Sequence, residues 1–106
     1  MNDMQFDGIK TEYDVLNHGL LTSAAVTNAE LTADERAHYF DLLKRFEHAA
    51  KQINDKSLSK LKGAVLQAIH ASQAFLIADN RQLKRNAKRE CMRASKVLER
   101  TKAGEG

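Results

Sequence analysis

Residues 64–78 read AVLQAIHASQAFLIA, and the fold follows from what that stretch is. Only Gln67, His70, Ser72 and Gln73 interrupt its apolar and small side chains. The apolar ones fall on every side of a helical cylinder rather than along one stripe, which predicts a helix touched by neighbours all round. The run is too short, and its flanks too polar, to cross a bilayer. It predicts the buried hub of an all-α bundle, extending from about Leu58 to Ala78. Fully burying Leu66, Ile69, Phe75 or Leu76 contributes roughly 1.5–3 kcal/mol each. Gly63 inside the hub costs about 1 kcal/mol against alanine, so a close helix crossing is expected there.

Composition agrees with this. The chain has 106 residues, which suits one domain, with no proline and only five glycines to break helices. Hydrophobic residues at 42% and charged residues at 29% exclude wholesale disorder. The single Cys91 cannot form an internal disulfide, and Asp3 and Asp7 sit where a secretory leader would carry lysine. A cytoplasmic protein is the expectation.

Toward the amino end, Asn54-Asp55-Lys56-Ser57 reads as the turn before the hub, with Asp55 or Ser57 as cap. Before it, Tyr39, Leu42, Leu43, Phe46, Ala49, Ala50 and Ile53 recur at three- and four-residue steps, an amphipathic helix. Two overlapping start signals precede that helix, Thr27-x-x-Glu30 and Thr32-x-x-Glu35, and Thr32 is favoured. Leu20–Val26 is a brief apolar run in which strand and helix look alike. Thr11-Glu12-Tyr13-Asp14 has capping-box form, predicting a short helix from about Glu12 to His18 that Gly19 ends. The first ten residues lack periodicity and are expected to wander until Phe6 or Ile9 docks.

Beyond the hub, the apolar stripe keeps phase through Leu83, Ala87, Cys91, Ala94 and Leu98, so one long helix is conceivable. A break at Asp79-Asn80 is favoured, because helices near 45 residues are rare in small domains. The tail 103–106 should fray. The expected architecture is thus a small bundle of three main helices plus a short N-terminal helix, one domain over residues 1–106.

Charge is segregated along the chain. Residues 1–35 carry seven acids against Lys10 alone, whereas residues 81–106 carry nine bases against three acids. On a helical wheel, Leu83, Ala87, Cys91, Ala94, Val97, Leu98 and Thr101 gather in roughly a third of the circle. Arg81, Lys84, Arg85, Lys88, Arg89, Arg93, Lys96, Arg100 and Lys102 fill roughly the opposite half, diluted by Glu99, with Met92 in the middle. Such a strip is a solvated face, a complement to the helix dipole at Arg100 and Lys102, or a dock for the chain's own acidic head. Alternatively it is a phosphate-binding surface, where spaced cations track a nucleic-acid backbone by counterion release. Arg81, Lys84, Arg85, Lys88, Arg89, Arg93, Lys96 and Arg100 are its candidate contacts. No helix-turn-helix or zinc pattern predicts base-specific readout. No aromatic residue lies in 81–106, so stacking on a single strand would draw on Phe6, Tyr13 or Tyr39.

Chemistry is harder to find. His18, His38, His48 and His70 show no ligand spacing, and Glu35-x-x-His38 is a lone copy of an element that di-iron bundles need twice. Ser72 and His70 lie two apart on a helix and face different ways. Cys91, among cations yet at the edge of an apolar stripe, reads as a packed thiol, and His70 as a hydrogen-bonded core or interface residue. No enzyme, metal or cofactor is expected.

A motif-free helical chain of this size, with an acidic head and a basic final helix, resembles the small proteins phages use against host defence, anti-CRISPR proteins in particular. That likeness lies in overall character. It implies inhibition by covering a surface: a subunit of a defence complex, its nuclease, or the nucleic acid it exposes. The expectations are therefore a nucleic-acid-binding inhibitor or regulator, or instead a protein-binding inhibitor that presents an apolar patch around Met92 or Leu20-Leu21. Self-association through the hub would make the monomer a homodimer.

Overall fold

The computed structural model describes residues 11–104, all of them in helices, turns and short connections. Four helices follow one another: α1 (Glu12–Asn28), α2 (Ala33–Lys51), α3 (Ser59–Ala78) and α4 (Arg81–Lys102). A 3-10 turn, Lys56–Leu58, leads into α3. Each start has a local cause. Thr11 and Asp14 bond reciprocally across the first turn of α1 at 3.1 and 3.2 Å, and Thr32 and Glu35 do the same for α2 at 3.1 and 2.8 Å. Asp55 caps the 3-10 turn through the Ser57 backbone N–H. Asn80 caps α4, its side-chain oxygen accepting from the N–H groups of Gln82 and Leu83.

The chain does break at Asp79-Asn80. Asp79 takes a left-handed conformation, φ 46° and ψ 52°, which ends α3 and turns the chain back. That conformation strains a residue bearing a Cβ, and aspartate tolerates it better than most.

Three expectations are corrected. The N-terminal helix is not short: α1 runs unbroken through Gly19 and Leu20–Val26 for 17 residues. Gly19 is an inward position, not a cap. A Cβ placed on it would sit 3.5 Å from atoms of Phe46, Val65 and Ile69, so α1 lies close over α2 and α3 there. Thr27, read as one of two start signals, is instead buried in the last turn of α1, its hydroxyl donating to the Ala24 carbonyl. Gly63 is the reverse case: it is exposed, nothing lies within 4 Å of a Cβ built there, and no helix crosses at that point. The expectations for residues 1–10 and 105–106 lie outside the described residues.

Helix α3 is central, packed by α1, α2 and α4, but on three sides rather than all round. Leu61, Val65, Ala68, Ile69, Ser72, Phe75 and Leu76 face inward. Lys60, Gly63, Gln67, His70 and Ile77 form a solvent stripe on the fourth side, and Leu66 is only half-buried. The inward residues join Val15, Leu16, Leu20, Val26, Leu43, Phe46, Ala50 and Ile53 in one core. Among the described residues no helix is long and apolar enough to cross a membrane.

Candidate functional site

Helix α4 owes its place to its narrow apolar arc. Ala87, Cys91 and Ala94 are buried, and Leu83, Val97, Leu98 and Thr101 half-buried, which is the arc the wheel gives. Small side chains at the centre of that arc let α4 lie close on α3. A polar seam runs beneath it. The Ser23 hydroxyl donates to the Gly19 carbonyl at 2.9 Å, and the Ser72 hydroxyl donates to the Ser23 carbonyl at 3.2 Å, joining α1 to α3. Cys91 meets the same Ser72 hydroxyl, and burial pushes its thiol above the usual cysteine range despite that contact. A thiol so placed is packed and protonated at neutral pH, not activated by the nearby cations.

With one face so committed, the other must point outward. Arg81, Arg85, Lys88, Arg89, Arg93, Lys96, Arg100 and Lys102 are all exposed. Lys84 alone is half-buried, its ammonium 6.0 Å from the centre of the Phe75 ring. Among the described residues the strip makes one ion pair, Arg93 to Glu90 at 3.5 Å, within the same helix. The Arg89 guanidinium donates to the Asn86 side-chain oxygen at 3.0 Å. Asp14 and Glu35 each accept from the backbone of their own helix cap. All eight candidate contacts thus share one helix, and seven of them are exposed.

Two cations that look equivalent in sequence are spent on structure. Arg36 reaches from α2 to the end of α3, donating to the Phe75 carbonyl and, at 3.1 and 3.0 Å, to that of Leu76. Its guanidinium lies 4.9 Å over the Phe75 ring and 3.7 Å from Asp79. It satisfies the Leu76 carbonyl, which the helix end leaves without a backbone donor, and shares the Phe75 carbonyl with the Asp79 N–H. Lys62 does the same for the end of α2, its ammonium 2.8 Å from the Ile53 carbonyl. Nothing in sequence distinguishes Arg36, because its partners lie 39 and 40 residues further on.

The histidines are scattered. His70 is exposed, not a core residue, and its Nε2 meets Glu47 at 2.8 Å, linking α3 to α2. Lys51 reaches the same carboxylate at 3.2 Å, and the His70 bond above all holds Glu47 below the usual glutamate range. Glu35, the acid of the lone Glu-x-x-His element, is engaged in its capping box. Among the described residues no group of three His, Cys, Asp or Glu converges on a common point.

What the fold and this surface define is an all-α four-helix bundle with one cationic helix face. Neither protein-family models, nor curated proteins, nor solved structures match the chain.

Proposed function

We propose that this is a non-enzymatic nucleic-acid-binding protein that grips phosphate backbone through the outer face of α4. The observation that carries this is eight exposed cations along one helix face which, among the described residues, make a single ion pair. Like charges spaced at i,i+4 weaken a helix by a few tenths of a kcal/mol each, and a polyanion relieves that repulsion. No built pattern for base readout accompanies the cations, so binding is non-specific. Inhibition of a defence complex by covering the nucleic acid it exposes is the biological role that suits such a surface.

The test is a gel shift on single- and double-stranded DNA across a salt series. Contact with about five phosphates gives a log–log slope near −4.5 on duplex. Reversing Arg85 and Arg89 to glutamate makes the slope shallower by about two or more. No complex at low salt, or indifference to these reversals, overturns the proposal.

One observation favours a protein partner instead. Ile77 is 73% exposed beside a shallow groove lined by Arg36, Phe40, Asp41, Lys44 and Leu76. Pull-down from nuclease-treated lysate separates the two, since only a direct protein contact survives the treatment.

A further inference from the structure

Met92 is 65% exposed in the middle of the cationic face. Helical spacing puts Lys88 and Arg89 one turn before it, Lys96 one turn after it and Arg93 beside it. The bundle makes no demand for an apolar residue there, since α4 docks through the opposite arc at Ala87, Cys91 and Ala94. Helix propensity makes none either, because lysine, arginine and methionine form helices about equally well. Single exposed apolar residues are common on protein surfaces, and what sets Met92 apart from Leu21 and Ile77 is its place among cations.

Resting on the reading of this face as a nucleic-acid surface, we propose that Met92 packs against nucleobases, so that α4 prefers unpaired strands to duplex. The surrounding cations select a polyanion, and the apolar side chain among them selects one that also offers flat apolar surfaces. Nucleobases answer both requirements. In a duplex their faces are hidden in the stack, whereas a single strand turns them out toward a protein side chain. Thioether contact with aromatic rings is favourable, and a flexible, unbranched side chain suits any base. No aromatic residue occurs in 81–106, which leaves Met92 as the apolar contact on this face. An anionic lipid surface fits less well. A helix lying in a membrane interface needs a broad free apolar face, and that of α4 is consumed by the bundle.

Three labelled probes decide it by fluorescence anisotropy at low salt: oligothymidine of about 20 nucleotides, longer than a typical single-strand site, an abasic oligomer of the same length, and a duplex. The expected result is that the base-bearing strand binds about threefold to tenfold more tightly than the abasic one. Met92→Gln erases that ratio, leaves the salt slope and the melting temperature unchanged, and Met92→Leu restores it. Equal binding of base-bearing and abasic strands, a ratio untouched by Met92→Gln, or tighter binding to duplex or to phosphatidylserine vesicles overturns this proposal alone. Failure to bind any oligonucleotide overturns the nucleic-acid reading with it.

Discussion

Helices α3 and α4 are nearly equal in length, 20 and 22 residues, and pack directly against each other, yet they divide the protein's tasks. In α3, apolar residues cover three sides of the cylinder and lock onto three partner helices. In α4, apolar contact is confined to an arc centred on two alanines and a cysteine, and most of the remainder is offered to solvent. The contrast teaches that a small bundle can gain its stability from one saturated helix and leave a neighbour half free. Substitutions in α3 should therefore act on folding, and substitutions on the outer face of α4 on binding.

The hardest blow to that division would come from the interior of α3. Ile69 has no exposed surface, so Ile69→Ala should cost about 2–5 kcal/mol in urea unfolding. A loss under about 1 kcal/mol would mean that α3 is not the hub. Next is Arg36, which ties α2 to the end of α3. Removing it strands the Leu76 carbonyl and loses a ring contact, and Arg36→Met should cost about 1–3 kcal/mol. The corresponding loss for Arg85→Ala on α4 should stay within about 0.5 kcal/mol.

Glycine replacements sharpen the comparison with the opposite sign. Gly63→Ala, on the solvent stripe of α3, should stabilise by up to about 1 kcal/mol, since no neighbour obstructs the methyl. Gly19→Ala should do at least as well, because its methyl would make ordinary contact with Phe46, Val65 and Ile69. Destabilisation at Gly19 would show that α1 sits closer than the 3.5 Å separations describe.

The smallest effect is pH-dependent. The Glu47 carboxyl is held below its ordinary value, so its contribution is present above pH about 4.5 and fades as pH falls through the lower, folded value. Glu47→Gln should flatten melting temperature against pH in that acidic window, lowering it modestly at neutral pH and scarcely at all below the folded value. An unchanged slope would remove the His70–Glu47 link as a stabilising contact.

Much of this was legible in the residues themselves. Capping boxes at Thr11 and Thr32 are short-range devices whose partners lie three residues away, so sequence suffices to find them. The two faces of α4 are equally local, since a 3.6-residue period alone sorts Ala87 and Cys91 from Arg85 and Arg89. What sequence misread are positions whose meaning depends on a distant neighbour. Gly19 looks like a helix end because glycine so often is one, yet it is helical and lies against atoms of α2 and α3. Gly63 looks like a crossing point for the same reason, and no helix passes it.

Local periodicity and capping chemistry thus determined that the chain is helical, where α2 begins, and which half of α4 is cationic. Tertiary structure alone decided that α1 continues to Asn28, that Arg36 closes the end of α3, and that among the described residues the cationic face meets few acids. The physical reason is distance along the chain. A helical turn links residues three or four apart, but burial and pairing are set by side chains some forty residues away, which no local pattern specifies.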